Sequence, residues 1–399
     1  MFRALFGLAL TLMTLLVTVA LAAGHLLPRA DQLLYSSAQQ WRAGNWNVSL
    51  AEVPRGIASS IFTSTTDTRP GLPVIWSPDG LRVAYIRMVN DSPQTWVGRA
   101  YGGLPVSLGA GQTLSEYNAA WSPDGSQLAF IGERPGDRQV YMADPDGTQS
   151  WQITMDEGGF KSLAWSPHGD ILVLETDSLQ ERLYLLEPSS GSLQLLTPET
   201  GRHLRPTWSP DGTQLAFISN REVERTSATA FDLYLMNRDG SNLRRLTSDH
   251  PASSSWFPWW SPDGRYLALG SISWIGSDDL YVIDILTGER IQLTEPGADA
   301  AAPIWSPDGR WLAYETRYGG SFWKIALYEV ASGQTRMLFR SSGDQRRPAW
   351  SLDGTQVMYI GNEGRNWDIY QVSVGASTSP RRLTHSRAID YSPVWRPSP

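Results

Sequence analysis

Short apolar runs separated by turn residues recur along the chain from about residue 70 to the C-terminus. Ile171–Leu174 and Leu183–Leu186 are examples, and they lack the alternation of apolar and polar residues that a sheet with one solvent-exposed face shows. Continuous apolar runs of this length predict strands that are buried on both faces. Small sheets stacked radially around an axis give every sheet two covered faces, so the pattern favours a β-propeller over a two-layer sandwich.

A Trp-Ser-Pro-Asp-Gly motif precedes these runs and sets their period. Its near-copies begin at Trp76, Trp121, Trp165, Trp208, Trp260, Trp305 and Trp350, and a truncated copy begins at Trp395. Successive tryptophans are 43 to 52 residues apart, which is the length of a propeller blade. Three β-rich runs follow each complete motif, so each unit predicts a four-stranded antiparallel sheet.

The Ser-Pro-Asp-Gly part of the motif has the composition of a tight turn, with Pro fixing φ and Gly supplying a conformation that other residues resist. Its repeated carboxylates could be mistaken for a ring of catalytic or metal-binding groups. His168 replaces Asp in the third copy while the turn is otherwise intact, which favours a turn role. We interpret the motif tryptophans as packing residues between neighbouring blades.

The eighth motif has no strands after it, so its partners must come from the other end of the chain. Gln32–Tyr35, Asn45–Leu50 and Ile57–Thr63 supply three matching runs. The sequence therefore predicts an eight-bladed β-propeller over residues 31–399, in which residues 31–65 and 392–399 share the closing blade. A seven-bladed ring is the alternative, and it would leave about 40 patterned residues unused.

The motif and the strands that follow it resemble the TolB-like propeller repeat, also found in the propeller domains of dipeptidyl-peptidase IV and prolyl oligopeptidase proteins. The resemblance covers residues 31–399, with seven near-matches in a row. It implies the propeller fold and, more loosely, a binding function. TolB has an additional α/β domain and the peptidases have a hydrolase domain, and we expect neither in this sequence.

Residues 4–24 form a run without charges that follows Arg3, and we interpret residues 1–24 as an export segment. The run reaches the roughly 20 residues needed to span a bilayer, whereas Ala20-Leu21-Ala22 matches a signal-peptidase site. An uncleaved single-pass anchor and a cleaved signal peptide both remain open. Either one predicts an extracytoplasmic protein of a bacterial cell envelope, membrane-anchored or periplasmic.

Composition and motifs exclude several functions. The net charge of −7 argues against a nucleic-acid partner, and the absence of cysteine removes thiolate sites. The chain has no Gly-x-Ser-x-Gly elbow, no phosphate loop and no His-Glu-x-x-His motif. We therefore expect no cofactor and favour a protein that is not an enzyme.

Two groups of candidate site residues lie in the connections that open on one face, which we call the top face. The first is a cluster of aromatic and polar residues of the kind used for peptide or sugar binding. Its members are Trp41, Trp46, Trp256, Trp274, Phe322, Trp323, Arg346, Trp367, Asp390 and Tyr391. The second is a possible metal site formed by His203, His250 and His385.

These features leave three functions. The first is a non-enzymatic binding or scaffold propeller that recognises a protein, peptide or glycan through the top face, with residues 4–24 contacting the membrane if they are retained. The second is a metal-dependent lyase, because oligogalacturonate lyases combine TolB-like propellers with a histidine-containing metal site. The third is a structural subunit of a membrane complex.

Overall fold

The protein is described here from a computed structural model. It describes residues 32–38, 46–52, 57–63 and 74–397, except 91, 101–103, 110–114, 135–136, 156–158, 171, 177–180, 199, 223–230, 249–257, 273–277, 295–297, 318–321, 340, 364–365, 376–378 and 386–388. The backbone alone is described for 32–38, 46–52, 57–63, 88, 115–117, 271–272, 278, 389 and 391–392. Every regular element in these ranges is a β-strand, so the all-β prediction is confirmed. None of the described residues forms a helix that could cross a membrane.

The strands form eight four-stranded antiparallel sheets, each named here after the motif tryptophan at the end of one edge strand. The Trp76 sheet contains β4 (Val74–Trp76), β5 (Arg82–Val89), β6 (Ser92–Arg99) and β7 (Val106–Ser107). The Trp121 sheet contains β8 (Ser115–Trp121), β9 (Leu128–Arg134), β10 (Asp137–Ala143) and β11 (Ser150–Gln152). The Trp165 sheet contains β12 (Phe160–Trp165), β13 (Leu172–Thr176), β14 (Leu183–Glu187) and β15 (Ser192–Leu195). The Trp208 sheet contains β16 (His203–Trp208), β17 (Gln214–Ser219), β18 (Asp232–Asn237) and β19 (Arg244–Arg245).

The remaining sheets repeat this order. The Trp260 sheet contains β20 (Trp259–Trp260), β21 (Tyr266–Ile272), β22 (Asp278–Asp284) and β23 (Arg290–Gln292). The Trp305 sheet contains β24 (Asp299–Trp305), β25 (Trp311–Arg317), β26 (Lys324–Glu329) and β27 (Gln334–Met337). The Trp350 sheet contains β28 (Gln345–Trp350), β29 (Gln356–Gly361), β30 (Asp368–Ser373) and β31 (Arg381–Arg382). The Trp395 sheet combines β1 (Gln32–Ala38), β2 (Trp46–Glu52) and β3 (Ile57–Thr63) with β32 (Ile389–Trp395), which pairs with β1.

The second and third strands of each complete unit make up most of the core. All five residues of β13 are buried, as are most residues of β17 and β29. Separate apolar clusters fill the space between neighbouring sheets, for example where the Trp208 sheet packs on the Trp260 sheet. The first strands of neighbouring sheets contact each other, so they lie nearest the axis of the propeller. The outer strands are short, and β27 is exposed along its whole length.

The Ser-Pro-Asp-Gly segments form the turns between the first and second strands. In the Trp208 sheet, the Gly212 amide donates to the carbonyl of Ser209 at 2.9 Å, and Gly212 has a φ of +66°. Asp211 accepts hydrogen bonds from the Ser209 hydroxyl at 2.6 Å and the Thr213 amide at 3.0 Å. These bonds use the carboxylate to hold its own turn, which is an Asx-turn arrangement. In the third copy, Asp170 takes the bond from the Ser166 hydroxyl at 2.7 Å.

The motif tryptophans join one sheet to the next. The indole Nε1 of Trp121 donates to the carbonyl of Ile75, the residue before the tryptophan of the preceding sheet, at 3.4 Å. The indoles of Trp165, Trp208, Trp260, Trp305, Trp350 and Trp395 make the same bond, at 3.0 to 3.3 Å. The tryptophans thus provide packing area and a hydrogen bond at each of these sheet-to-sheet contacts.

Candidate functional site

The first strands are bent at one position, three residues before the motif tryptophan. Asn118, Arg205, Ala302 and Arg347 occupy it with φ of +49° to +57°, and the pairing register shifts beside each of them. Positive φ is uncommon for residues other than glycine, and a bulge of this kind redirects the side chains of the strand. These strands lie nearest the axis, so the bulges shape the inner wall of the propeller.

A buried glutamate stabilises two of these bulges. Glu315 lies ten residues after Trp305 and is 1% exposed, and its Oε1 accepts a hydrogen bond from the Arg347 amide at 2.6 Å. Glu175 occupies the same position of its unit, also 1% exposed, and its Oε2 accepts from the Arg205 amide at 3.3 Å. The equivalent residues of the other complete units are Ile86, Ile131, Ile218, Gly270 and Ile360. A carboxylate in such a position requires the partners it has here, because an unpaired buried charge is costly.

Phe322 and Trp323 lie between β25 and β26, and Trp323 contacts Arg346. The Arg346 guanidinium carbon is 4.2 Å from the centroid of the Trp323 ring, and that of Arg317 is 5.3 Å away. Phe322 is 46% exposed, and the Lys324 ammonium lies 5.5 Å from its ring centroid. We call these five residues the Trp323 cluster; it combines an exposed aromatic ring with three cations.

Carboxylates hold the cations of the Trp323 cluster in place. Arg346 pairs with Glu315 at 2.5 Å, and the Arg317 Nε donates to Asp299 at 3.0 Å. Burial lowers the pKa of Lys324 from its usual value, although the nearby charges of Asp344 and Glu363 oppose that change. The Lys324 ammonium donates to the carbonyl of Ser341 at 2.9 Å. These pairs restrict the side-chain freedom that a partner would otherwise have to remove on binding.

Trp367 and Asp390 are also brought together, across the contact between the Trp350 and Trp395 sheets. The Asp390 amide donates to the Trp367 carbonyl at 2.9 Å, while the Trp367 ring packs on a cluster that includes Ile369 and Leu383. Burial raises the pKa of Asp390 to about 7, and the nearby carboxylate of Asp368 also raises it. The hydrogen bond with Thr384 and the charge of Arg382 lower this pKa and only partly offset the rise. Asp390 is 1% exposed, so it is a buried carboxyl group between two sheets.

The other predicted aromatic residues cannot be placed in this site by their side chains. Trp41, Trp256 and Trp274 lie outside the described residues. Trp46 begins β2 and Tyr391 belongs to β32, and both are described by their backbones alone. Within the described part of the chain, the candidate site therefore consists of the Trp323 cluster, with Trp367 and Asp390 at the next sheet contact.

The predicted histidines occupy different environments. His203 begins β16 and is fully buried, with its Nδ1 3.0 Å from the Ser219 hydroxyl and its ring 6.0 Å from that of Phe217. His385 is exposed, and His250 lies outside the described residues. No three His, Asp or Glu side chains come close enough to hold a metal ion in the ranges that the structure describes.

Two cavities involve residues that sequence reasoning did not single out. One, of about 450 Å³, is lined by β8, β12 and β16 and includes Lys161, Glu175 and Arg205. The other, of about 940 Å³, lies between the Trp305 and Trp350 sheets at the end of the motif turns, where Arg336 and Arg310 lie 5.1 and 5.5 Å from the Trp311 ring centroid. The departure of Glu175 from the isoleucine or glycine found at this position in five other units was the sequence signal for the first cavity.

Comparison with known proteins gives partial sequence matches. No family model matches the chain. It is 27% identical over 205 residues to a protein described as uncharacterized peptidase YuxL of Bacillus subtilis, covering 40% of this chain and 31% of that protein. It is 30% identical over 149 residues to a TolB homologue of Chlorobium chlorochromatii, covering 37% of this chain and 31% of the homologue. The chain thus spans about a third of the length of these relatives.

Solved structures match over more of the chain. An oligogalacturonate lyase in complex with manganese aligns with a TM-score of 0.57 and 16% identity, covering 88% of this chain and 99% of the lyase. The β-propeller domain of the Trilobed protease from Pyrococcus furiosus aligns with a TM-score of 0.51 and 14% identity, covering 79% of this chain and 98% of that domain. At these identities the likeness concerns the fold. With the repeated motif and the TolB matches, it supports the resemblance of this chain to TolB-like β-propellers.

Proposed function

We propose that this protein is a non-enzymatic binding or scaffold propeller that recognises a protein or peptide through the Trp323 cluster. The observation that carries the proposal is the exposed Phe322 ring beside Trp323 and two arginines that carboxylates hold in place. Aromatic residues and arginine are the side chains that most often dominate the energetics of protein interfaces. Because their partners already restrict the arginines, a ligand would lose less affinity to side-chain ordering.

A glycan is the alternative ligand for the same surface. Aromatic rings also stack on sugars, and the cluster has guanidinium groups that can donate hydrogen bonds to hydroxyl groups.

A screen of peptide and glycan arrays with the labelled full-length protein distinguishes the two ligand classes. Phe322→Ala should reduce binding at least about tenfold, as expected for an interface anchor. Trp151→Ala, which removes a 39% exposed aromatic ring on β11, is the matched control and should leave binding unchanged. Equal binding by both variants and the unaltered protein would reject the cluster as the site.

The same proposal includes a location and a closed ring. We propose that residues 1–24 export the chain to the bacterial cell envelope, as an anchor or a cleaved signal, and that residues 31–399 form one eight-bladed propeller. The ring is supported by the pairing of β32 with β1, by the bond from Trp395 to Ala349, and by the Arg396 guanidinium 5.5 Å from the Trp76 ring centroid. The Trp395 sheet therefore contacts both of its neighbours. Fractionation of cells and N-terminal sequencing of the mature protein test the location.

A metal-dependent lyase is the second candidate, because the chain shares its fold with an oligogalacturonate lyase over most of both lengths. Metal analysis of the purified protein separates the two functions. A stoichiometric divalent metal that is lost on His203→Ala would support the lyase. A structural subunit of a membrane complex would instead co-purify with a stable partner.

A further inference from the structure

The cavity of about 940 Å³ lies between the Trp305 and Trp350 sheets, at the strand ends that carry the motif turns. The Trp305 sheet contributes Trp311 at the start of β25, Arg310 just before it and Arg336 of β27. The Trp350 sheet contributes Thr355 and Val374. A volume of this order is typical of sites that enclose a small molecule.

The gap that forms this cavity is closed at two other sheet contacts. A Cβ on Gly147, between β10 and β11, would lie 3.0 Å from the Val106 side chain of the preceding sheet. A Cβ on Gly240, between β18 and β19, would lie 3.3 Å from the Leu196 side chain of the sheet before it. Gly375 lies in the corresponding connection of the Trp350 sheet, and beyond its chain neighbours no described atom lies within 4 Å of its Cβ position. The repeat therefore does not require an open gap, and this sheet contact has one.

Trp311 supplies the aromatic surface of the cavity. The Arg336 and Arg310 guanidinium carbons lie 5.1 and 5.5 Å from its ring centroid, within the range of a cation–π contact. Its ring is only partly buried against the core cluster between the two sheets. The residues at the same distance from the motif tryptophan in the other complete units are Arg82, Gln127, Ile171, Gln214, Tyr266 and Gln356. A tryptophan is therefore not needed here to form the second strand.

Both guanidinium groups are held in place and are still exposed. Arg310 donates to the Glu329 carboxylate from Nε at 3.1 Å and from Nη2 at 2.8 Å, and its side chain is 62% exposed. Arg336 is also exposed, and its guanidinium donates to the Val374 carbonyl across the gap between the sheets. A planar guanidinium stacks well on aromatic rings. Because these side chains are already restrained, a ligand would lose little affinity to ordering them.

We infer that this cavity binds an aromatic ring, carried by a small molecule or by a side chain of a peptide. The exposed guanidinium groups attract the negative face of such a ring, and the Trp311 ring adds apolar contact area. A saturated ring of similar size offers comparable apolar area but has no such face. The inference does not rest on the function proposed for the Trp323 cluster, because Trp311 and the Arg317 of that cluster lie at opposite ends of β25.

Ligand-observed NMR titration of the full-length protein tests the inference with two pairs of uncharged probes. The pairs are benzyl alcohol with cyclohexylmethanol, and the peptide acetyl-Gly-Trp-Gly-amide with its Leu counterpart. We expect saturable binding of at least one aromatic probe and at least about fivefold weaker binding of its aliphatic counterpart, which lacks the cation–π attraction. Binding of benzyl alcohol identifies a small aromatic molecule, and binding of the peptide alone identifies an aromatic side chain; both outcomes support the inference.

Three variants locate the binding. Arg336→Gln removes a guanidinium from the cavity and should weaken binding of the aromatic probe at least about fivefold. Arg244→Gln is the matched control, because Arg244 also lies on an outer strand and donates to a carbonyl of the next sheet, that of Ile285 at 3.3 Å, outside the cavity lining. It should leave binding unchanged, and so should Phe322→Ala, which removes a ring of the Trp323 cluster.

The inference fails if no aromatic probe binds saturably, if aromatic and aliphatic probes bind equally, or if Arg336→Gln binds as tightly as Arg244→Gln. Loss of binding in Phe322→Ala would place the probe at the Trp323 cluster and would also overturn the inference. The comparison of aromatic and aliphatic probes needs no substitution, so a variant that misfolds would not leave the question open.

Discussion

The guanidinium carbon of Arg346 lies 4.2 Å from the centroid of the Trp323 ring, and the same side chain pairs with the buried carboxylate of Glu315. Arg346 comes from β28 and Trp323 precedes β26, so the contact joins the Trp305 and Trp350 sheets. Their backbones are also joined, because the Gln345 amide donates to the Trp323 carbonyl at 2.8 Å. A residue proposed for binding thus also stabilises the sheet contact on which the cluster depends.

Arg346→Ala should lower the free energy of unfolding by about 2 kcal/mol, because it leaves the carboxylate of Glu315 buried without its cation. The expected loss is small for a broken ion pair with a buried partner, because the Arg346 side chain is 35% exposed and solvent screens its charge. Adding Glu315→Gln to this variant should restore part of the loss, because a neutral amide still accepts the Arg347 amide bond. Urea unfolding measures both changes. A double variant no more stable than Arg346→Ala would show that the ion pair is not the cause.

The tryptophan bonds between sheets give a matched pair of substitutions. Trp305 donates its indole N–H to the Trp259 carbonyl at 3.1 Å, whereas the buried Nε1 of Trp76 has no hydrogen-bond partner among the described residues. Both rings are 8% exposed, so replacement by phenylalanine removes a similar apolar volume from each site. Trp305→Phe should cost about 1 kcal/mol more than Trp76→Phe, which is the net contribution of one hydrogen bond. Equal losses in thermal or urea unfolding would contradict this.

The turns and the motif tryptophans could be predicted from the sequence because their causes are local. A Ser-Pro-Asp-Gly segment carries its own hydrogen-bond partners, so Ser209, Asp211 and Gly212 form the same contacts wherever the segment occurs. The repeat period and the apolar runs likewise predicted four-stranded sheets, because the sheet of each unit is buried on both of its faces. Aromatic residues such as Phe322 were predicted at the top face from their place between the second and third strands.

The contacts within the site could not be predicted, because they depend on which residues neighbouring sheets place together. The bond from Arg347 to Glu315 joins residues 32 positions apart, on adjacent sheets. His203 was predicted in a connection, yet it begins a strand five residues before its tryptophan, where its side chain is buried. Gln345 and Asp390 occupy the same position in their units and are buried too. Comparing units position by position would have revealed this environment.

Asp390 should make stability depend on pH. Burial raises the pKa of this carboxyl from its ordinary value of 3.8 to about 7 in the folded protein. The folded state therefore holds the proton more tightly than the unfolded state, so the stabilisation is complete below about pH 4 and is lost as the pH rises through about 7. The full difference is of the order of 2–4 kcal/mol, from about 1.4 kcal/mol for each pH unit.

Comparison of the protein with Asp390→Asn separates the contribution of Asp390 to the pH dependence of stability from that of the acids whose pKa is lowered. The difference in free energy of unfolding between the two proteins should change between pH 4 and pH 8 in favour of the variant, whose amide does not titrate. Chemical unfolding at a series of pH values measures it. A difference that is constant over this range would mean that Asp390 keeps an ordinary pKa in the folded protein.

Gly80 tests whether the two ends of the chain close the ring. A Cβ on Gly80 would lie 2.8 Å from the Nε of the fully buried Arg396 and 3.1 Å from the Pro397 carbonyl oxygen, whereas one on Gly309 would lie 3.7 Å from Pro262. The φ angles are nearly equal, at +64° and +69°, so alanine meets the same backbone strain of about 1 kcal/mol at both positions. Gly80→Ala should therefore lower the free energy of unfolding by at least about 1 kcal/mol more than Gly309→Ala, because it also displaces the C-terminal segment from the Trp76 sheet.

Removal of residues 396–399 is the control. It should abolish the difference between the two variants, since it removes the atoms that the new methyl group would meet. Equal losses in the full-length protein would contradict the closed ring.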